Sequence, residues 1–323
     1  MAKVASPPNL KQTWLRGALG MAVGAVFLWL ALRQTTWQQV QAILADAHSG
    51  WLALAIALYG IDLSIRTRRW QQLLQAVKPL SFRATGMALL VGYAMNNLLP
   101  ARLGELVRAN FTGQRYQISR TAVIGSIAIE RSLDGLIVVG CLILGRLFIA
   151  RNAVLDRLTL AGVLLFVGIF VALWLTSRSS LPRLLNRIPR PIAARIQRFQ
   201  EGLAGLQGSL LVRAIALSFL IWLFEGLALW AVLHSIDVGL GWQAMLVVIG
   251  VVSLSTLLPS PPGFVGTYQY AFAFIIGLLG HQPAQGIAAA TATQIFLLGG
   301  VTAIGLALYL YTVFQGSGTR HER

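Results

Sequence analysis

Long apolar runs separated by short polar segments dominate this sequence. Each run approaches the ~20 residues that a helix needs to cross a bilayer, and we predict that about six of them span the membrane. These runs cover residues 17–32, 51–65, 121–145, 158–176, 210–234 and 286–312. No small-x-small cleavage site flanks the first run, so we expect an uncleaved first helix and not a signal peptide. The pattern predicts an all-α, polytopic membrane protein.

Two further apolar regions, residues 84–109 and 242–280, are interrupted by proline and glycine. They contain the sequences "NNLLPARLGELVRA" and "STLLPSPPGFVGTYQY". The same L-L-P-x-x-x-G spacing occurs at Leu98, Leu99, Pro100 and Gly104 and at Leu257, Leu258, Pro259 and Gly263. Either proline alone fits a helix that simply ends at the membrane surface. The repeated pattern favours two related broken helices.

The arginines indicate how the chain is oriented. The formal net charge is +16, and only three of the 26 basic residues are lysines. These cations lie between apolar runs, so they fit orientation signals and contact with anionic lipids, and we expect no nucleic-acid partner. If residues 1–16 are cytoplasmic and both interrupted regions re-enter, the basic loop 177–209 and the tail 313–323 are cytoplasmic too. A complete crossing by the first interrupted region would place the basic loop outside, against the positive-inside rule.

The predicted organisation is therefore a single transmembrane domain, residues 1–323, in the cell (inner) membrane with both termini in the cytoplasm. Its first repeat covers residues 51–145 with the re-entrant region 84–109. Its second repeat covers residues 210–312 with the re-entrant region 242–280. The helices that precede the two broken regions run in opposite directions, which makes the repeat inverted. Secondary transporters use paired broken helices of this kind to place a binding site at the membrane midplane.

Charged residues in the apolar regions are the first candidates for a site, because charges are expensive there. Four of the ten acidic residues lie in or beside these regions: Glu105, Glu130, Asp134 and Glu225. In "IERSLDG", Glu130 and Asp134 are four residues apart with Arg131 between them. These residues either form part of a ligand site or make an internal ion pair that only holds helices together. Arg102, Glu105 and Arg108 form one helical stripe, either a phosphate site or a solvated interfacial stripe.

Other candidates lie at the helix ends. Arg66 and Trp70 are four residues apart at the end of the second run. We expect Trp70 to be an interface anchor and Arg66 to reach inward. Arg69, between them, is expected among the cytoplasmic charges. Gly263 and Gly266 permit close backbone approach to a ligand or a helix, and helix packing is the expectation for Gly266. The predicted substrate-binding set is Arg66, Asn97, Arg102, Glu105, Arg108, Glu130, Arg131, Asp134, Gly263 and Gly266. The histidines are dispersed without metal-ligand spacing and the chain has a single cysteine, so we expect no metal site, no cofactor and no disulfide.

At these residues the sequence resembles a known family. "RTRRW", "NNLLPARLGELVRA", "ERSLDG" and "PSPPGFVGTYQ" are similar to the flippase-like transmembrane domain of the lysylphosphatidylglycerol synthase family, over residues 15–312 or so. The resemblance implies re-entrant helices and the translocation of an anionic, aminoacylated or polyprenyl-linked lipid. Phe264 and Gln269 replace a glycine and a glutamate of the family pattern P-G-G-x-G-x-x-E, which weakens a proton-coupled mechanism there. No region corresponds to the cytosolic synthase domain, so we expect a stand-alone member that makes no lysyl lipid.

Three functions compete. The leading hypothesis is a lipid translocase that binds an anionic phospholipid or polyprenyl-linked headgroup in a groove between the broken elements. No P-loop motif occurs, so ATP hydrolysis by that route is excluded. An integral membrane lipid-modifying enzyme, with Glu105, Glu130 or Asp134 as general acid or base, is the rival; the chain shows no nucleophile or metal motif for it. The third is an accessory subunit that docks a lipid- or glycan-synthesising enzyme through the basic loop.

Overall fold

The structure is a computed structural model that describes residues 10–33, 35–99, 103–178, 189–258 and 260–318, with side chains from residue 21 to residue 314. All regular secondary structure in these ranges is helical. The all-α prediction is therefore confirmed for the described chain. Pro100, Arg102 and Pro259 lie outside these residues.

Thirteen α-helices are described, in two groups along the chain. The first group is α1 (Leu10–Leu32), α2 (Trp37–Ala45), α3 (Ser49–Gln75), α4 (Phe82–Leu98), α5 (Gly104–Tyr116), α6 (Arg120–Arg146) and α7 (Ala153–Arg178). The second group is α8 (Arg190–Gly202), α9 (Gly208–Ser235), α10 (Trp242–Ser255), α11 (Thr267–Leu278), α12 (Pro283–Ala292) and α13 (Gly299–Gly318). Short 3₁₀ turns cover Leu203–Leu206 and Pro262–Phe264. A π-helical segment, Thr293–Leu298, joins α12 to α13.

Four helical stretches of the described chain are long and apolar enough to cross a membrane. They are Ser49–Gln75, Ala153–Arg178, Gly208–Ser235 and Pro283–Phe314. These stretches contain four of the six predicted spans. The other two runs form α1 and α6; α6 carries charged residues at its centre, and the apolar part of α1 is the shorter stretch Met21–Leu32. Part of the predicted basic loop 177–209 is not a loop, because it forms helix α8.

Helices α3 and α9 form an antiparallel pair. At one end, the His48 N–H donates to the Ser235 carbonyl at 2.8 Å. Toward the other end, Arg69 Nη1 donates to Ser218 Oγ at 2.7 Å. From the first contact to the second, the residue number rises along α3 and falls along α9. The two helices therefore run in opposite directions, as the sequence predicts for the helices that precede the broken regions.

The first broken region folds as a hairpin of α4 and α5. Helix α4 ends where Leu99 adopts an extended conformation (φ −104°, ψ 142°). Lys78 Nζ donates to the Tyr116 carbonyl at 2.9 Å, and the Tyr116 hydroxyl donates to the Ala84 carbonyl at 3.3 Å. The end of α5 thus lies beside the start of α4. A Cβ on the motif glycine Gly104 would collide with backbone atoms of α4, so only glycine allows so close a return.

The second broken region enters the bundle in the opposite direction. A Cβ at Gly250 of α10 would meet Leu142 of α6, and one at Gly145 of α6 would meet Val247, so α10 and α6 are antiparallel. Helices α4 and α6 are both antiparallel to α5, to which they are joined by short connections. Helices α4 and α10 consequently point in opposite directions.

The pattern of neighbouring helices is the same in the two halves. Helix α4 packs along α13, and α10 packs along α6, while α3 packs against α9. Each broken region contacts its own returning helix, α5 or α11, and these in turn contact α6 or α12. In this correspondence α3 matches α9, α4 matches α10 and α5 matches α11. Helix α6 matches α12 and α13 together, and the same neighbours then occur in both halves.

The buried apolar side chains of the described chain form three clusters. The largest cluster joins the second-half helices through fully buried side chains such as Val232, Val248 and Phe272. A smaller one surrounds Trp70 and Leu89. Lipid is as apolar as these side chains, so their close packing, more than transfer from water, stabilises the arrangement.

Candidate functional site

Nine charged side chains from four helices meet inside the bundle. We call this group the ion cluster. Its members are Asp62, Arg66 and Arg69 of α3, Glu105 and Arg108 of α5, Glu130, Arg131 and Asp134 of α6, and Glu225 of α9. Asp134 lies about 20 Å along α6 from its first residue, close to the helix midpoint. A charge at such a depth requires compensation, and the cluster supplies it from four helices.

Asp134 is the hub of the ion cluster. Its two carboxylate oxygens accept hydrogen bonds from Arg69 Nη1 and Nη2 at 2.6 and 3.2 Å, a two-pronged geometry typical of strong arginine–carboxylate pairs. Trp222 Nε1 donates to the same carboxylate at 3.3 Å. Guanidinium nitrogens of Arg66 and Arg131 each lie 3.9 Å from its Oδ2. One carboxylate therefore joins α3, α6 and α9.

Arg66 connects the hub to the remaining acids of α3 and α9. Its Nε donates to Asp62 Oδ2 at 2.7 Å, one helical turn earlier. Its Nη2 donates to Glu225 Oε2. Asp62 is fully buried, whereas a quarter of the Glu225 side chain is exposed. The expectation that Arg66 reaches inward is confirmed.

Arg108 lies deeper and is held on a tryptophan face. Its guanidinium carbon is 3.4 Å from the centroid of the Trp70 ring, and its Nη2 is 2.8 Å from Glu130 Oε2. Trp70 Nε1 in turn donates to Ser126 Oγ at 3.1 Å. Trp70 is fully buried, so the prediction of an interface anchor is wrong. The tryptophan instead stabilises a cation that would otherwise be costly to bury.

A cavity of about 350 Å³ lies between the ends of the two broken regions. The tip of α4 lines it with Asn96 and Asn97, and the tip of α10 lines it with Ser253 and Thr256. The charged residues on its wall are Arg66, Glu105, Arg131, Asp134 and Glu225. The groove expected between the two broken elements is therefore present as a cavity, and the ion cluster forms one of its walls.

The opposite wall of the cavity is apolar and reaches the outside of the bundle. Leu165 and Ile169 of α7 line it, together with Leu257 after α10. These three side chains are 48%, 38% and 42% exposed, respectively. Helix α7 is long, apolar and mostly unburied, which is typical of a lipid-facing helix. One continuous space thus connects charged groups to an apolar outer surface.

Arg131 is the most accessible cation of the ion cluster. Its side chain is 29% exposed, compared with 7% for Arg66 and 1% for Arg108. Its Nε lies 2.9 Å from Glu105 Oε1, and the Glu105 side chain is 26% exposed. This cation and this acid therefore face the cavity with part of their surface free.

The predicted binding residues divide into four groups. Five line the cavity: Arg66, Asn97, Glu105, Arg131 and Asp134. Arg108 and Glu130 belong to the ion cluster but not to the cavity wall. Gly263 and Gly266 also lie off the wall, although Phe264 between them is part of it. Arg102 is outside the described residues.

Asn97 has a structural contact in addition to its place on the wall. Its Nδ2 donates to Thr302 Oγ1 at 2.8 Å and lies 3.3 Å from the Leu298 carbonyl. These partners sit where the π-helical segment meets α13. The tip of α4 is therefore fastened to the other half of the molecule.

The glycine-rich turn of the second broken region is held by two glutamines. Gln294, in the π-helical segment, donates from Nε2 to the Gly263 carbonyl at 2.8 Å and accepts from Gln269 Nε2 at 2.6 Å. The Gly266 N–H donates to Gln269 Oε1 at 2.7 Å. Gly266 has a positive φ of 90°, and a Cβ there would collide with the Gly24 carbonyl of α1. The expectation of helix packing at Gly266 is confirmed.

Sequence reasoning missed several members of this site. Arg69 was expected among the cytoplasmic charges, but it is fully buried and bound to Asp134. Asp62 and Trp222 were not selected at all, and Glu225 was noted only as an acid in an apolar region. A signal for two of them was present: Asp62, Arg66 and Arg69 recur after four and three residues, which places them on one face of α3.

The cavity presents two walls of different chemistry. Within the ranges that the structure describes, no group of three or more His, Cys, Asp or Glu side chains is placed to hold a metal ion. The cavity supplies cations, acids and amides on one side and aliphatic and aromatic side chains on the other. A molecule with a charged head and an apolar tail matches both walls.

Comparison with known proteins places the chain in a family. The sequence model described as the lysylphosphatidylglycerol synthase TM region matches residues 17–305. A UPF0104 membrane protein of Methanothermobacter thermautotrophicus is 25% identical over 92% of this chain and 95% of its own length. One of Methanocaldococcus jannaschii is 25% identical over 57% of this chain and 79% of its own.

A glycosyltransferase, AglD of Haloferax volcanii, is also similar. It is 24% identical over 88% of this chain, which spans about half (53%) of that protein. No solved structure matches the chain. Because the family model covers most of its length, the chain belongs to the lysylphosphatidylglycerol synthase transmembrane-region family.

Proposed function

We propose that this protein binds the headgroup of a membrane lipid in the cavity and moves the lipid between the two leaflets. The observation that carries the proposal is the cavity itself, which joins the ion cluster to exposed apolar side chains of α7. A phospholipid or polyprenyl-linked lipid would place its phosphate among the charged groups and its chains along α7. A water-soluble substrate would have no use for the apolar wall.

The arrangement of the broken regions supports the transport part of the proposal. The ends of the α4–α5 hairpin lie together, as a re-entrant hairpin requires. Helices α4 and α10 enter from opposite directions, and their tips meet at the cavity. Transporters with inverted repeats expose a central site to one side and then to the other by moving one repeat against its partner. We propose the same inverted, re-entrant topology here, in the inner membrane with cytoplasmic termini.

Arg131 is the residue we assign to the lipid phosphate. It is the most accessible cation on the wall. Its Nε lies 2.9 Å from Glu105 and its Nη1 lies 3.9 Å from Asp134, so Nη2 is the nitrogen that we assign to the anion. Arg66 is committed to Asp62 and Glu225, and Arg108 to Glu130 and Trp70. The role expected from sequence for Arg108 thus passes to Arg131, and Arg108 stabilises the cluster behind it.

A second candidate function follows from the similarity to a glycosyltransferase. The chain corresponds to about half of that relative, so a related region occurs within a longer protein with that name. This protein would then present a lipid to a lipid- or glycan-synthesising enzyme, as an accessory subunit. A lipid-modifying enzyme remains the third alternative, with Glu105 or Asp134 as the acid or base on the cavity wall.

Reconstitution in sealed vesicles with fluorescent phospholipids separates these functions. A translocase moves the label between leaflets, an enzyme changes the mass of the lipid, and an accessory subunit does neither. Ser253→Trp fills the cavity, while Ser64→Trp makes the same change on the exposed face of α3 and serves as the matched control. We expect movement by the parent and the Ser64 variant only. Equal movement by the Ser253 variant would show that lipid does not pass through the cavity.

A further inference from the structure

A second pocket lies at the N-terminal end of α6, on the side of α8. Its volume is about 470 Å³, and it lies beside three exposed arginines: Arg120 of α6 and Arg195 and Arg198 of α8. Within the part of the chain that the structure describes, none of the three forms an ion pair with a carboxylate. Three unpaired guanidinium groups around one space repel each other unless an anion lies between them.

The backbone adds a further positive contribution at the same place. Helix α6 has 27 residues and begins at Arg120, and the side chain of its N-cap residue, Ser119, makes no capping hydrogen bond. Ser119 lines the pocket together with Thr121. The first turn of a long helix presents free N–H groups and the positive end of the helix dipole. Side chains and backbone therefore act on an anion in the same direction.

The pocket lies between two closely packed helices and apart from the ion cluster. A Cβ at Gly202 of α8 would collide with the Ala122 carbonyl of α6, so the two helices are in backbone contact next to the arginines. Thr121 precedes Asp134 by 13 residues, about 20 Å along α6. The two spaces share no lining residue.

The position of α8 indicates where the anion comes from. Gln200 Nε2 donates to the Thr176 carbonyl near the end of α7, so α8 lies where α6 begins and α7 ends. These are the levels at which membrane helices leave the bilayer. Ile192, on the same helix as the arginines and next to the lining residue Pro191, is 47% exposed. Basic residues beside exposed apolar ones are typical of a helix that lies in the membrane interface.

We propose that this pocket binds the phosphate headgroup of an anionic phospholipid from the leaflet next to α8, at a site separate from the cavity. Arg195 and Arg198 hold the phosphate from one side, and Arg120 with the first turn of α6 holds it from the other. Charge complementarity favours phosphatidylglycerol over phosphatidylcholine, whose choline group brings a positive charge among the arginines. The site anchors the bundle to the leaflet surface whether or not the cavity transports lipid.

Native mass spectrometry of the detergent-solubilised protein, titrated with short-chain phosphatidylglycerol, tests the site. All variants carry Ser253→Trp, so that binding in the cavity does not contribute and failure here stays distinguishable from failure of the proposed function. We expect Arg195→Gln/Arg198→Gln to weaken binding by on the order of tenfold or more. Arg83→Gln removes an exposed arginine at the start of α4, outside the pocket, and is expected to keep the affinity of the Ser253 variant.

Three results would overturn the proposal. The first is equal affinity of the double variant and its Ser253 parent for phosphatidylglycerol. The second is an equal loss in the Arg83 variant, which would mean general surface charge and no defined site. The third is displacement of the lipid by inorganic phosphate at comparable concentration, which would make a free anion the ligand. Size-exclusion profiles check folding, which substitution of exposed arginines is not expected to disturb.

Discussion

Asp134→Asn is the substitution that tests the ion cluster most severely. The change keeps the shape of the side chain but removes the charge that faces Arg69, whose side chain is 1% exposed and bonded to both oxygens. Arg66 and Arg131 also lose a neighbouring anion. Removing one partner of a buried ion pair costs about 3 to 5 kcal/mol, because the other charge remains in a low dielectric. At about 2 to 4 °C per kcal/mol, the melting temperature falls by on the order of 10 °C.

The measurement is thermal unfolding of the purified protein in one detergent. Asp156→Asn is the matched control: Asp156 pairs with Arg146 at 2.6 Å, but its side chain is 55% exposed. The Arg146 side chain is 11% exposed, but the carboxylate is in contact with solvent, and a pair with one solvated partner is expected to contribute about 0 to 1 kcal/mol. The control is therefore expected to melt close to the parent. If Asp134→Asn also melts within about 2 °C of the parent, water reaches the cluster and the buried network described above is wrong.

Two further predictions concern topology and packing. Single cysteines at Lys78 and Gln114, which lie before and after the α4–α5 hairpin, are expected to react from the same side of sealed vesicles in a background without the native cysteine, and a cysteine at Gly239 from the other side. Labelling of Lys78 and Gln114 from opposite sides would exclude the re-entrant hairpin. Gly266→Ala is expected to lower stability by roughly 1 to 3 kcal/mol in thermal unfolding, because its φ is 90° and its Cβ would meet α1. Gly60→Ala, where a Cβ meets nothing within 4 Å, is the control, and equal melting of the two variants would contradict the packing described.

Much of the fold was predictable from local features of the sequence. Apolar runs of bilayer length give helices because only helices satisfy their own backbone in an apolar setting. The repeated L-L-P-x-x-x-G pattern located both broken regions, since proline and glycine act on the backbone of their own segment. Helix α2 and helix α8 were not predicted. Both are short and lie outside the apolar runs of bilayer length.

The sequence identified several charged residues of the site but not the ion pairs that they form. Glu130, Arg131 and Asp134 stand out because charges are rare in apolar runs. Which arginine meets which acid depends on how α3, α5 and α6 pack, and residues on different helices carry no sequence signal for a contact. Arg69 therefore passed for a cytoplasmic charge. Trp70 passed for an anchor because an aromatic residue beside arginines is typical of an interface and equally fits a stacking platform.

The central claim is that the cavity between the broken regions holds a lipid headgroup. Mass spectrometry of lipids extracted from the washed, mildly solubilised protein tests this claim most directly, with Ser253→Trp compared with Ser64→Trp. We predict that the parent and the Ser64 variant retain a phosphate-containing lipid that the Ser253 variant loses, with all three proteins folded by size-exclusion profile. Equal retention of that lipid by the Ser253 variant would contradict the claim.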